Sequence, residues 1–195
     1  LKNQLGLPDL SPIHRIDRDT AGLVLLSTQR SDRGAYQALF REQRVHKTYQ
    51  AIAPYQPELG FPREHHSRMQ ESGHFIRMQE VAGPPNSHTR LTLLEHNTHW
   101  ARYQLEPISG KRHQLRVHMA ALGIGILGDG LYPEVNDAPE GDFSRPLRLL
   151  AQAIAFTDPL TQQQRHFHSQ YTLGALPPEP APSGQQTWQG LPANA

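Results

Sequence analysis

Only two stretches of this chain repeat apolar residues at helical spacing, and around them lie short apolar or alternating runs of strand length with no regular strand–helix rhythm. Such a mixture argues against a doubly wound parallel sheet. It favours an α+β fold with a mixed, mostly antiparallel sheet flanked by helices. The apolar run 22–27 (GLVLLS) reads as a buried strand, and Ser31 then caps a helix that turns Ala35, Leu39 and Phe40 inward. Residues 46–53 (HKTYQAIA) alternate in part and stop at Pro54, whereas 54–73 are rich in proline, histidine and glycine and read as a loop. Two strands, 89–95 and 100–107, are predicted to form a hairpin through 96–99. The second helix covers 113–122, with Leu115, Met119 and Leu122 on one stripe, Gly123 as its left-handed stop and Arg116 one position off the stripe. Further strands are expected at 147–156 and 166–173. One domain is predicted over 1–175, followed by a flexible tail over 176–195 (with PPEPAPSGQQ from Pro177).

Composition removes several classes of chemistry. The chain has 195 residues and no cysteine, so disulfides, thiolate nucleophiles and sulfur-bound zinc are excluded. No apolar run approaches the roughly 20 residues needed to cross a bilayer, so a soluble, cytoplasmic protein without membrane partners is expected. The first residue is Leu1 rather than methionine, and KNQLGLPDL already reads as the interior of a fold. An upstream portion is therefore expected. Net charge is only +1, but residues 1–120 hold 16 Lys+Arg against 11 Asp+Glu, and the remainder hold 3 against 7. Sixteen of the 19 basic residues are arginine, the side chain suited to forked phosphate contacts. An arginine-rich solvated surface would give the same count.

Asp17 stands in HRIDRDTAGLVLLS between Arg15 and Arg18, with a second acid at Asp19. Flanking positive charge favours the ionised form of a carboxylate, which a nucleophile or base requires. Taken alone, the segment reads more readily as a surface turn with ordinary ion pairs. A paired-carboxylate hydrolase using Asp17 and Asp19 is disfavoured, because residues two apart share a direction only in a strand. Twelve histidines raise the question of a metal. The pairs His65–His66, His113–His118 and His166–His168 do not have the spacing of a ligand set, so no metal is expected.

Three ordered blocks change the balance. HRIDRDTAGL resembles the H-R-L-D-x-x-T-S-G-L signature of the RluA-type RNA pseudouridine synthases, enzymes acting on ribosomal and transfer RNA. HKTYQAIA resembles the family's K-x-Y-x-A strand, and GKRHQLRVHMAALGIGILGDGLYP its G-R-x-H-Q-I-R-V-H-x-x-x-x-G-h-P-I-x-G-D-x-x-Y block. LRLLAQAIAFTDP is a weaker fourth match, and the likeness covers roughly residues 10 to 173. The resemblance implies the synthase catalytic fold with a central active-site cleft. It places the catalytic aspartate on Asp17, the active-site tyrosine on Tyr49, and on Arg116 the arginine that pairs with the aspartate, here through an expected fork. It further implies an isomerase without cofactor, acting on ribosomal more than transfer RNA, and a monomer. RNA contacts are expected from His14, Arg15, Lys111, Arg112 and His113, with Arg15 filling the space a flipped base leaves. A non-catalytic RNA-binding relative is the alternative, although its usual mark, loss of the aspartate, is absent. The chain departs from the pattern at Ile16, Ala21, Lys111, Ile124, Gly125 and Gln152, and the K-P-x-G segment usual upstream of the aspartate motif does not occur in it. These departures bear on substrate choice rather than on the three catalytic positions.

Overall fold

The alternating runs in mid-chain become the centre of a sheet in the computed structural model, which describes residues 1–73, 76–135 and 144–178. In chain order the elements are α1 (Lys2–Leu5), β1 (Ser11–Pro12), β2 (Ala21–Gly22), β3 (Leu26–Ser27), α2 (Arg33–Arg41), β4 (Val45–Pro54), β5 (Arg63–Glu71), β6 (Met78–Val81), β7 (Ser87–His96), β8 (Trp100–Pro107), α3 (Gln114–Ala121), β9 (Leu149–Thr157) and β10 (Gln164–His168). Seven strands run β10-β9-β4-β8-β7-β5-β6, each antiparallel to its neighbours, and β2 joins β9 as a parallel eighth. β1 and β3 form a separate two-stranded ribbon. The α+β class with a mostly antiparallel sheet is therefore correct. Among the described residues no helix is long and apolar enough to cross a membrane.

Both longer helices cover one face of this sheet. Leu115 and Met119 of α3 pack on Ala51, Ala53, Leu91, Ala101, Tyr103, Leu105 and Leu149. Leu39 of α2 packs on Val45, Ile154 and Phe156. Val45, Tyr49, Ala51 and Ala53 share a face of β4 by strand alternation, so α2 and α3 sit side by side with a gap between them. Register on β9 slips between Thr48 and Tyr49 of its partner, with Thr48 opposite Ala153 and Tyr49 opposite Ala151. The extra residue, Gln152, keeps Leu149 and Ile154 on the same face despite their parity. Met119 is fully buried, and truncating it to alanine would cost about 2–5 kcal/mol.

Five expectations need correction. Ser31 does not cap α2: the N-cap is Asp32, and the Ser31 hydroxyl donates to the Asp32 carboxylate instead. The run 22–27 is not one strand: β2 ends at Gly22, whose φ of 107° and contact with Ala151 leave no room for a Cβ, and the chain then crosses to the ribbon at Leu26. Residues 54–73 are loop only as far as Pro62, because 63–71 form β5, which pairs with both β7 and β6. Its inward row begins with Arg63, His65 and Ser67, the last two satisfied by polar neighbours, so no apolar alternation marks it. The strand expected over 166–173 is the shorter β10 (Gln164–His168), and Leu173 instead packs irregularly against Ile52 and Leu150. The fold also holds slightly longer than the expected tail boundary, since Leu176 joins that cluster and the Pro177 carbonyl accepts a bond from Asn97. The rest of the expected tail, 179–195, lies outside the described residues.

Candidate active site

The segment carrying Asp17 is pinned at both ends. Upstream, the Ile13 N–H donates to the Leu25 carbonyl beside the β1–β3 ribbon, and downstream Gly22 lies against Ala151 of β9. His14 fastens the middle: its Nε2 accepts the Leu25 N–H at 3.0 Å and its ring stacks on Phe40 at 4.5 Å. An accepting Nε2 leaves the proton on Nδ1, which faces the Arg15 carbonyl at 3.3 Å. Burial pushes the His14 ring below the ordinary histidine range, so it stays neutral in this role. These contacts are internal to the fold, and His14, for which the sequence suggested RNA contact, also lines the cavity over Asp17.

Arg116 is buried, not a surface arginine, because strands and the turn after α3 enclose that helix. Its fork goes to a different carboxylate from the one expected: Nε and Nη2 donate to Asp129 at 2.8 and 2.6 Å. The side chains of Arg116 and Asp129 are 2% and 0% exposed. Asp129 Oδ1 also accepts the N–H groups of Leu131 and Tyr132, which leaves the turn 129–132 folded around the carboxylate. The remaining nitrogen, Nη1, faces Asp17 Oδ2 at 3.9 Å. His113 Nε2 approaches the other oxygen, Oδ1, at 4.0 Å. Asp17 thus sits between a guanidinium and an imidazole, each too far for a hydrogen bond.

A cavity of about 280 Å³ opens over this carboxylate, bounded by Asp17, Tyr49, Lys47, Phe40, His113 and Leu149 among others. Tyr49 descends from the sheet on β4, and burial, aided by the negative charge of Asp17, pushes its phenol up to about 12. It therefore carries its proton at neutral pH. Lys47 lies two residues earlier on the same face; its Nζ donates to the Ser109 carbonyl at 3.3 Å, and burial lowers its ammonium below the ordinary range. Gln114 fixes the turn between β8 and α3, accepting from Ser109 Oγ and the Lys111 N–H while donating to Thr89.

Asp17 and Tyr49 are thus brought to one cavity, with Arg116 reaching its edge. Arg15, Lys111, Arg112 and His113 also line it, Arg15 and Lys111 with exposed side chains. Lys47, Asp129 and Tyr132 were not singled out in the sequence, although all three stand inside the matched blocks, as the lysine of HKTYQAIA and the D and Y of GDGLYP. The histidine pairs do not cluster as pairs. His65 and His66 point to opposite faces of β5, and among the described residues the groups that do gather are His65–Glu80–His118 and Glu64–His66–His88. In the first, His118 Nε2 is taken up by the hydroxyls of Ser67 and Ser87 at 3.1 and 3.0 Å, a contact of a structural histidine.

The sequence model of the RNA pseudouridylate synthase family matches residues 1–121. The dual-specificity RNA pseudouridine synthase RluA of Pasteurella multocida is 33% identical over 164 residues, covering 80% of this chain and 71% of its own. An uncharacterized RNA pseudouridine synthase of Haemophilus influenzae is 34% identical over 141 residues, 66% of this chain and 57% of its own. The ribosomal large subunit pseudouridine synthase C of Vibrio cholerae is 32% identical over 162 residues, 82% of this chain and 51% of its own. The chain thus spans between about half and seven-tenths of these relatives' length. Human RNA pseudouridylate synthase domain containing 1 shares the fold with a TM-score of 0.70 at 24% identity, over 85% of this chain and 70% of its own. A model match over more than half the chain, and relatives above 30% identity that cover four-fifths of it, lead to one conclusion: the chain belongs to the RluA-type RNA pseudouridine synthase family.

Proposed function

We propose that this chain is a catalytic domain that isomerises uridine to pseudouridine in RNA, with Asp17 as the catalytic carboxylate, Tyr49 as the base-holding phenol and Arg116 as the charge behind Asp17. The observation that carries this reading is the cavity itself, where one carboxylate, bracketed by Arg116 and His113, faces a buried tyrosine across a space of about 280 Å³. The reaction breaks the bond from ribose C1′ to uracil N1, turns the ring and rejoins C1′ to C5; the C5 proton is lost and N1 takes one up, so the product is an isomer. No electron is gained or lost, and these side chains supply a nucleophile and proton carriers. Attack on ribose or on the uracil ring requires the same ionised Asp17 with one free oxygen. Ribosomal RNA is the proposed substrate class, because relatives at this level of identity are named for the large ribosomal subunit. Arg15 and Lys111 line the cavity with exposed side chains, which supports a role in meeting phosphates that flank an everted base.

The test is release of tritium from RNA labelled at uridine C5, without added metal or cofactor. Asp17-dependent release is expected, lost in Asp17→Asn. Free uracil instead of pseudouridine, or release unchanged in Asp17→Asn, would sink the proposal.

A further inference from the structure

His113 has a second nitrogen, and its partner is defined. Nδ1 lies 2.9 Å from the Tyr132 hydroxyl, and that hydroxyl accepts the Met78 N–H at 2.8 Å. The phenol has one proton to give. Met78 occupies one acceptor site of the phenol oxygen, and donation of the phenol proton to His113 Nδ1 then puts a neutral imidazole's own proton on Nε2. Nε2 is the atom that faces Asp17 Oδ1.

The phenol is itself fixed. The guanidinium groups of Arg77 and Arg116 lie over its ring at 5.0 and 5.4 Å, and its backbone N–H is held by Asp129. Asp129 thus organises both sides of the carboxylate, Arg116 directly and His113 through Tyr132. The backbone at His113 supplies a separate observation. It adopts φ 53°, ψ 18°, a left-handed conformation that costs an L-residue about 1–2 kcal/mol and would suit glycine or asparagine better. Strain of this kind persists where the side chain it aims has a use.

We propose that Met78, Tyr132 and His113 form a relay that presents an imidazole Nε2–H to Oδ1 of Asp17, which makes His113 a positioning residue for the carboxylate and not an RNA contact. The relay divides the two oxygens. His113 holds Oδ1, Arg116 faces Oδ2, and the carboxylate keeps one rotation while one oxygen bonds to the substrate. The 4.0 Å gap closes to hydrogen-bond length once an everted base shuts out water.

This inference rests on Asp17 being the catalytic carboxylate, but its first test does not. Protein labelled with ¹⁵N-histidine is examined at neutral pH by long-range proton–nitrogen correlation, with His113 assigned from its missing signals in His113→Leu. The expected spectrum is that of the Nε2–H tautomer, and in Tyr132→Phe the proton should redistribute toward Nδ1. An Nδ1–H tautomer in the parent protein, or no change in Tyr132→Phe, overturns the relay whether or not the protein is active. The second test is kinetic, on variants shown by circular dichroism to be folded. His113→Leu should lower kcat about 100-fold with RNA affinity unchanged, as displacement of a reacting group by an ångström does. His113→Gln, which keeps an N–H, should recover part of that loss. Weakened RNA binding with kcat intact would return His113 to the RNA surface and refute the positioning role. A parent protein inactive on every RNA, with the Nε2–H tautomer present, would count against the proposed activity and leave the relay standing.

Discussion

Replacing Asp129 by asparagine separates two accounts of Arg116. The Asp129 carboxylate accepts four hydrogen bonds, from Arg116 Nε and Nη2 and from the N–H groups of Leu131 and Tyr132. Asparagine offers one accepting oxygen. Placed where Oδ1 stands, it keeps three of those bonds and turns its NH₂ against the Arg116 Nε–H, donor facing donor. A guanidinium 2% exposed is then left without its counter-charge. Breaking a buried pair in this way costs about 3–5 kcal/mol. With a urea slope of about 2 kcal/mol/M, the unfolding midpoint should fall by about 1.5–2.5 M. Asp17→Asn should behave otherwise. Its carboxylate is partly exposed and its cationic neighbours stand 3.9 and 4.0 Å away, so the change should stay below about 1 kcal/mol. Urea titrations of the two variants at neutral pH, followed by circular dichroism, decide the matter. Equal costs, or a larger cost for Asp17→Asn, would refute the assignment of the fork to Asp129 and restore the pairing suggested by the sequence.

Tyr49→Phe keeps the ring that would face uracil but removes the hydroxyl, so RNA affinity should hold while tritium release slows about 100-fold or more; a loss under tenfold would exclude the hydroxyl as a proton carrier. His118 provides a pH test. Burial, followed by the charges of His65, His88 and His66, lowers its ring from the ordinary 6.5 to about 3. Between those values the unfolded chain binds a proton that the folded one refuses. Its contribution is therefore complete above about pH 6.5 and declines as pH falls, by up to about 1.4 kcal/mol per pH unit. Urea midpoints between pH 7.5 and 4.5 should decline less steeply in His118→Gln, and an unchanged slope would dismiss the effect. Gly22→Ala would place a Cβ 2.3 Å from the Ala151 carbonyl oxygen at a φ of 107°. A cost of about 3 kcal/mol or more is expected in thermal unfolding, and a loss below about 1 kcal/mol would mean that β2 does not press on β9.

The sequence made the site's centre legible more readily than its support. Asp17 and Tyr49 lie in blocks whose order and spacing carry information, and both line the same cavity. The choice Arg116 makes between carboxylates could not be read, because Asp129 lies in a turn that has neither a helical nor a strand period. Burial of Arg116 was hidden for a related reason. A helix one residue off its apolar stripe looks exposed unless the covering strands are known, and β5 was itself read as loop. That strand directs His65 and Ser67 inward, where they meet Glu80, Ser87 and His118, so polar satisfaction replaced the apolar alternation on which strand prediction depends. The division of 22–27 into β2 and β3 likewise followed from a contact with a strand far along the chain, which no local pattern records.

β9 pairs with β4, β10 and β2, and through β2 it holds the segment that carries Asp17. A ribosome releases a chain from its amino end, so residue 22 emerges long before residue 151 exists. During that interval β4, β8, β7 and β5 can pair among themselves, while the Asp17 segment has its upstream ribbon but not its downstream anchor. The first part of the site to be synthesised is therefore the last to be secured, and a nascent chain halted before β9 would carry Asp17 on a segment anchored at one end only.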